Sequence, residues 1–197
     1  MPATAMNRLD LTRRLLARVG DAPVVAALGN ASFDLYAAGD RPQNFYTLGS
    51  MGLGSSIGLG LALAQPSRKV FVLEGEGGVL MNLGSLATIG ARAARGEAAN
   101  YALVVWDNGQ FQITGGQPIA TSRAADLVAI ARGAGVERAF APADEAEFEA
   151  LVDRALREDG PWVIVARIDG AGATGRHRAD PTWIKHRFTQ SLGVSDE

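Results

Sequence analysis

The sequence predicts an α/β fold: a doubly wound, mostly parallel sheet with helices on both faces. Three observations predict it. Four runs, PVVAAL (23–28), KVFVL (69–73), YALVVW (101–106) and PWVIVARI (161–168), are almost continuously apolar, as parallel strands buried on both faces must be. Between them lie segments with helical spacing, and alternating strand and helix closes into a parallel sheet with right-handed crossovers. The chain has 197 residues, 47 % apolar and 20 % charged, which suits one globular domain over 1–197 with a substantial core.

The elements follow in order. Leu11, Leu15, Leu16 and Val19 share a face, so 10–19 reads as a helix. The strand at 23–28 ends in Gly29-Asn30-Ala31-Ser32, a small polar turn. Residues 44–48 are short and polar at their start, a poor first strand for a dinucleotide-binding fold. Residues 52–64 are Gly, Ala, Ser and Leu for the most part, a helix that can pack close to its neighbours. Strand 69–73 leads into a loop at Glu76 and then a helix over 82–95. Strand 101–106 opens a long Gly-bearing loop that runs through Thr114-Gly115-Gly116-Gln117-Pro118. A helix over 124–132 precedes a short strand, 136–140. Asp144 is a good N-cap for 145–157, which has acids in its first turn. After the strand at 161–168, Asp180 and Pro181 start a terminal helix, with Pro at its first position.

Composition excludes several function classes. A net charge of −2 gives no nucleic-acid footprint. The absence of cysteine rules out disulfides, thiolate catalysis and Cys-ligated metals. Gly, Ser, Lys or Glu break every long apolar stretch, so no membrane span is expected. Residues 1–14 lack an apolar leader core. A cytoplasmic location is the expectation.

The chemistry concentrates at two strand ends. Leu73-Glu74-Gly75-Glu76-Gly77-Gly78 closes one buried strand and Trp106-Asp107-Asn108-Gly109-Gln110 closes another. The carboxyl edge of an open α/β sheet is where ligands bind. Glu76 and Asn108 bring hard oxygen donors to that edge. The neighbouring glycines let backbone N–H groups approach a phosphate. Together these are the parts of a Mg²⁺–diphosphate site. A rival reading takes Gly52-x-Gly54-x-x-x-Gly58 as a dinucleotide-binding pattern with Glu74 as the ribose acid; it leaves Glu76 and Asn108 unexplained.

The two strand ends resemble the signature of thiamine diphosphate enzymes, in which Gly-Asp-Gly is followed downstream by Asn-Asn or Asp-Asn. Residues 44–60, 81–89 and 114–118 are similar to the sulfopyruvate decarboxylase β subunit and to the matching half of phosphonopyruvate decarboxylase. The similarity runs from about Arg8 to 184–188. It implies the diphosphate-binding domain of the thiamine diphosphate fold, with thiamine diphosphate and Mg²⁺ as cofactors. Metal ligands would be Glu76, Asn108 and the backbone carbonyl of Gln110. Gly29, Asn30, Gly49, Ser50, Met51, Gly75, Gly77 and Gly78 would hold the cofactor. Met51 would support its bend from below, and the carbonyl of Gly49 would accept from its amine. The chain departs from the family at three places. Glu76 stands for Asp, and its extra length suits Mn²⁺ or Ca²⁺ as well as Mg²⁺. Gly78 replaces a Ser that helps hold the diphosphate, and 93–99 reads as an insertion in a surface loop.

The resemblance also implies an incomplete site. The Glu that activates the cofactor belongs to a pyrimidine-binding domain, for which this chain has no room. That domain would be a separate α subunit, and this chain alone would be inactive. The expected substrate is a small 2-oxo acid. Three readings stay open: a decarboxylase subunit, an assembly partner with an impaired cofactor site, and a subunit of another thiamine diphosphate enzyme, a ligase or oxidoreductase. A homo- or hetero-oligomer is expected in each. His177 and His186 lie in a basic C-terminal region and read as residues of a solvated helix face.

Overall fold

The computed structural model describes residues 5–194. Residues 1–4, which belong to the stretch expected to lack a leader core, and 195–197 lie outside the described residues. Six strands form one sheet: β1 (Val24–Ala26), β2 (Asn44–Tyr46), β3 (Val70–Gly75), β4 (Tyr101–Asp107), β7 (Arg138–Phe140) and β8 (Trp162–Arg167). Their order is β2-β1-β3-β4-β8-β7, and every pairing is parallel. A small antiparallel hairpin, β5 (Gln110–Phe111) and β6 (Gln117–Pro118), lies within the long loop after β4. The helices are α1 (Arg8–Val19), α2 (Asn30–Ala38), α3 (Gly54–Ala64), α4 (Glu76–Met81), α5 (Gly84–Ala93), α6 (Leu127–Gly133), α7 (Glu145–Arg157) and α8 (Pro181–Ser191).

The sheet is covered on both faces, as its apolar strands require. Side chains alternate along each strand, so β3 sends Phe71 and Leu73 into one core and Val70 and Val72 into the other. The first core is completed by Leu11 and Leu15 of α1, Leu35 of α2, Phe148 and Leu151 of α7 and Ile184 of α8. The second takes Leu59 of α3, Leu86 and Ile89 of α5 and Leu127 of α6. The small residues of α3 permit close packing on β3: a Cβ at Gly58 would lie 2.1 Å from Val72 Cγ2. Among the described residues no helix is long and apolar enough to cross a membrane.

Capping fixes the helices where the sequence carries caps. Asp144 accepts from the Glu147 N–H, and Asp180 from the Trp183 N–H with Pro181 following; α7 and α8 begin where expected. Asp126 accepts from the N–H groups of Val128 and Ala129, which starts α6 at Leu127 and not at 124.

Other elements differ from expectation. Gly29–Ser32 is not a turn: Gly29 is the N-cap of α2, and Ala31, Ser32, Asp34 and Leu35 are buried. Its small, weakly amphipathic sequence hides the helix, which tertiary packing against α1 supplies. Residues 44–46 form a true edge strand, paired with β1 through Val24 N–H to Gln43 O and Thr47 N–H to Ala26 O. The polar start is accommodated because Asn44 is satisfied: its Nδ2 donates to Gly39 O and Tyr46 Oη. Glu76 opens α4 instead of standing in a loop, and the helix expected over 82–95 is the shorter α5.

Candidate functional site

A cleft opens at the carboxyl ends of β1, β3 and β4. The chain runs from β1 to the edge strand β2 and then returns to the other side of β1 as β3. Such a reversal leaves a crevice between the two strands, the usual ligand position in these sheets. Asn30, Met51, Glu74, Glu76, Asn108 and Gln112 are among the residues that line it.

Glu76 is the first residue of α4 and is buried. Its Oε1 accepts from the Gln110 N–H at 3.1 Å, and Asn108 Oδ1 accepts from the same N–H at 3.0 Å. A carboxylate oxygen from one strand end and an amide oxygen from the next therefore converge on one point. Burial pushes the Glu76 carboxyl up to about 7, and the charge of Asp107 adds to the effect; the N–H groups of Glu76, Gln110 and Asn108 oppose it. A positive ion would relieve that unfavourable charge. Among the described residues no three His, Cys, Asp or Glu side chains cluster. The donor set is thus one carboxylate with amide and backbone oxygens, which suits a hard divalent cation and no thiophilic metal.

The glycines make room for this arrangement. A Cβ at Gly77 would fall 2.6 Å from Phe111 Cε1 and 3.2 Å from Met51 Cε. Gly77 thus lets the β5 strand and the Met51 loop close over α4. Gly75 is the N-cap of α4 and Gly29 the N-cap of α2, neither with a side-chain cap. Asn30 and Ala31 at the head of α2 line the cleft, and uncapped helix N–H groups suit a phosphate. The cleft therefore fits a diphosphate held with a divalent cation. Met51 borders it, while Gly49 and Ser50 are exposed beyond its lining residues. Ser50 has φ 60, a strained value for a non-glycine residue, and the turn that results presents Met51.

Several residues of the site had no signal in the sequence. Gln112 Oε1 accepts from Asn30 Nδ2 at 2.7 Å and Asn108 Nδ2 at 3.3 Å, while its Nε2 donates to the carbonyls of Gly170 and Ala171. It ties the loops after β1, β4 and β8 together. Arg8 and Asp34 form a buried ion pair at 2.7 Å behind it. His177 is not on a solvated helix face. It is buried in the segment between β8 and α8, stacked on Tyr46 with ring centroids 4.6 Å apart, and its Nε2 lies 3.1 Å from Ser32 Oγ. His186 lies on α8 and is exposed, as expected. Glu74, the acid of the rival dinucleotide reading, is buried between Gly54 and Gly78 and unavailable to a ribose.

Residues 19–166 match the family described as "Thiamine pyrophosphate enzyme, C-terminal TPP binding domain". The chain belongs to this family. Within it, the chain is 39 % identical to the sulfopyruvate decarboxylase subunit beta of Methanocaldococcus jannaschii, over 94 % of this chain and 97 % of that one. It is 39 % identical to the phosphonopyruvate decarboxylase of Streptomyces viridochromogenes over 94 % of this chain, but there it spans only 46 % of the relative. A solved thiamin diphosphate-dependent enzyme from Mycobacterium smegmatis, described as putative, shares the fold with a TM-score of 0.70, 23 % identity, and coverage of 85 % of this chain and 32 % of that one.

Proposed function

We propose that this chain is the diphosphate- and metal-binding subunit of a thiamine diphosphate-dependent 2-oxo acid decarboxylase of the sulfopyruvate or phosphonopyruvate class. A separate chain carrying the pyrimidine-binding domain completes it. The observation that carries the reading is the convergence of Glu76 Oε1 and Asn108 Oδ1 on the Gln110 N–H, in the cleft between β1 and β3. The end-to-end match to a β subunit supports the two-chain arrangement, as does the half-length match to a longer decarboxylase.

The residues then have distinct tasks. Glu76, Asn108 and the carbonyl of Gln110 hold the cation. Gly29, Asn30, Gly75, Gly77 and Gly78 admit the diphosphate to backbone N–H groups. Met51 supports the cofactor's bend, with Gly49 and Ser50 forming the turn that presents it. Gln112 keeps Asn30 and Asn108 in register. When bound, the cofactor would supply the electron sink that takes up the bonding pair left on the 2-oxo acid as CO₂ departs. The Glu that activates it is expected on the partner chain, so the isolated subunit should not turn over.

Calorimetric titration with thiamine diphosphate and Mg²⁺, Mn²⁺ or Ca²⁺, with and without the pyrimidine-domain chain, tests the reading. Metal-dependent binding and decarboxylation only in the two-chain mixture are expected. Assembly without any cofactor binding would favour the impaired-partner reading instead.

A further inference from the structure

Among the described residues, Glu74 is the one carboxylate lining the cleft without a task in that scheme. It is the penultimate residue of β3 and only 2 % exposed. Its carboxyl is clamped between two glycine backbones. A Cβ at Gly54 would lie 2.5 Å from Glu74 Oε2, and a Cβ at Gly78 would lie 2.3 Å from Oε1 and 2.9 Å from Cδ. Each oxygen occupies the place of one missing side chain, at the head of α3 and in the first turn of α4. Oε2 has no hydrogen-bond partner among the described residues. The backbone N–H groups of Ser55, Gly54 and Gly75 face the carboxyl and favour its charged form, and close contact with those two glycines fixes its position.

We infer that Glu74 is a positioning residue for the cofactor cleft: its carboxyl wedges α3 against α4 and fills the volume that a side chain at 78 would take. Gly78 is thus matched to Glu74 and is not the mark of a decayed site. The consequence reverses what the family signature alone suggests. A serine at 78 has no room while Glu74 is in place. The carboxyl it displaces would have to turn into the cleft that Glu74 already borders, bringing a negative charge toward a diphosphate. Glu74→Asp withdraws the carboxyl by one methylene and frees the space.

The test is a double-mutant cycle on Gly78→Ser, Glu74→Asp and the pair together, with Gly78→Ala to separate bulk from hydroxyl. One readout is the urea midpoint of the metal-free subunit. The other is thiamine diphosphate affinity with Mg²⁺ in the two-chain assembly, and this readout alone rests on the function proposed above. Gly78→Ser and Gly78→Ala should each lower the midpoint, and Gly78→Ser should weaken binding at least tenfold. In the Glu74→Asp background Gly78→Ser should cost little in either. Additive losses, or tighter binding by Gly78→Ser alone, would overturn the inference. A coupled midpoint in a protein that binds no cofactor in any form would leave the wedge standing and remove the proposed function.

Discussion

At the residue scale, Glu74 and Glu76 stand out because burial pushes both carboxyls up to about 7 from an ordinary 4.5. An acid that is harder to ionise in the folded state binds more protons folded than unfolded. Its contribution to stability is therefore whole below pH 4.5 and is lost as pH rises through about 7. With metal chelated, Glu76→Gln should raise the melting temperature at pH 8 and leave it unchanged at pH 4; an equal shift at both would rule out ionisation as the cause. Asn108→Ala makes the complementary case. Its amide is half-buried in a loop and bonds to Gln110 and Gln112, so folding should weaken by about 1 kcal/mol at most. Metal-dependent cofactor affinity should fall on the order of 100-fold, as loss of metal-site groups does. Calorimetry and urea unfolding on one preparation would separate the two effects. Glu76 and Asn108 were legible in the sequence because each follows its own strand directly. Gln112, Arg8 and Asp34 were not, since Arg8 meets its partners 26 and 163 residues away.

Elements divide by where their stability originates. The apolar strands β3, β4 and β8 and the capped helices α7 and α8 carry their own signals, and they lie within a residue or two of expectation. Among the elements that departed from expectation or carried no signal of their own, α2 and β2 take their order from partners: α1 and the Arg8–Asp34 pair for the helix, β1 and α8 for the strand. Sequence periodicity has nothing to register there. Glycines in helices show the same division. Gly58 of α3 faces Val72 at a distance no Cβ can occupy, whereas Gly133 at the end of α6 has open space around it. Gly58→Ala should cost about 1–3 kcal/mol through overpacking, and Gly133→Ala should add about 0.5 kcal/mol through chain entropy. Urea unfolding of both variants checks the pair; a small, equal effect would mean that α3 can recede from the sheet.

At the scale of the whole molecule, one surface does not suit a lone chain. α3 is apolar on both sides. Gly54, Gly58, Leu59 and Ala62 face inward, while Ile57, Leu63 and the capping Leu53 are turned to solvent, 37 %, 37 % and 44 % exposed. A helix with apolar side chains on its outer as well as its inner face suits an interior or an interface. The patch extends beyond α3. Asn82 Nδ2 donates to Gly52 O at 2.9 Å, which fastens the end of α4 to the approach to α3. Met81 and Leu83, 63 % and 37 % exposed, flank that contact. Met51, at the cleft, is exposed as well. Contiguous exposed apolar surface of this kind marks an interaction site, and a net charge of −2 opposes association only weakly. The isolated subunit should therefore form a dimer or larger assembly at micromolar concentration. Ile57→Glu with Leu63→Glu should yield a monomer with an unchanged far-ultraviolet spectrum, because neither side chain belongs to either core. Light scattering decides the matter. A parent chain that stays strictly monomeric would mean that the outer face of α3 drives no self-association.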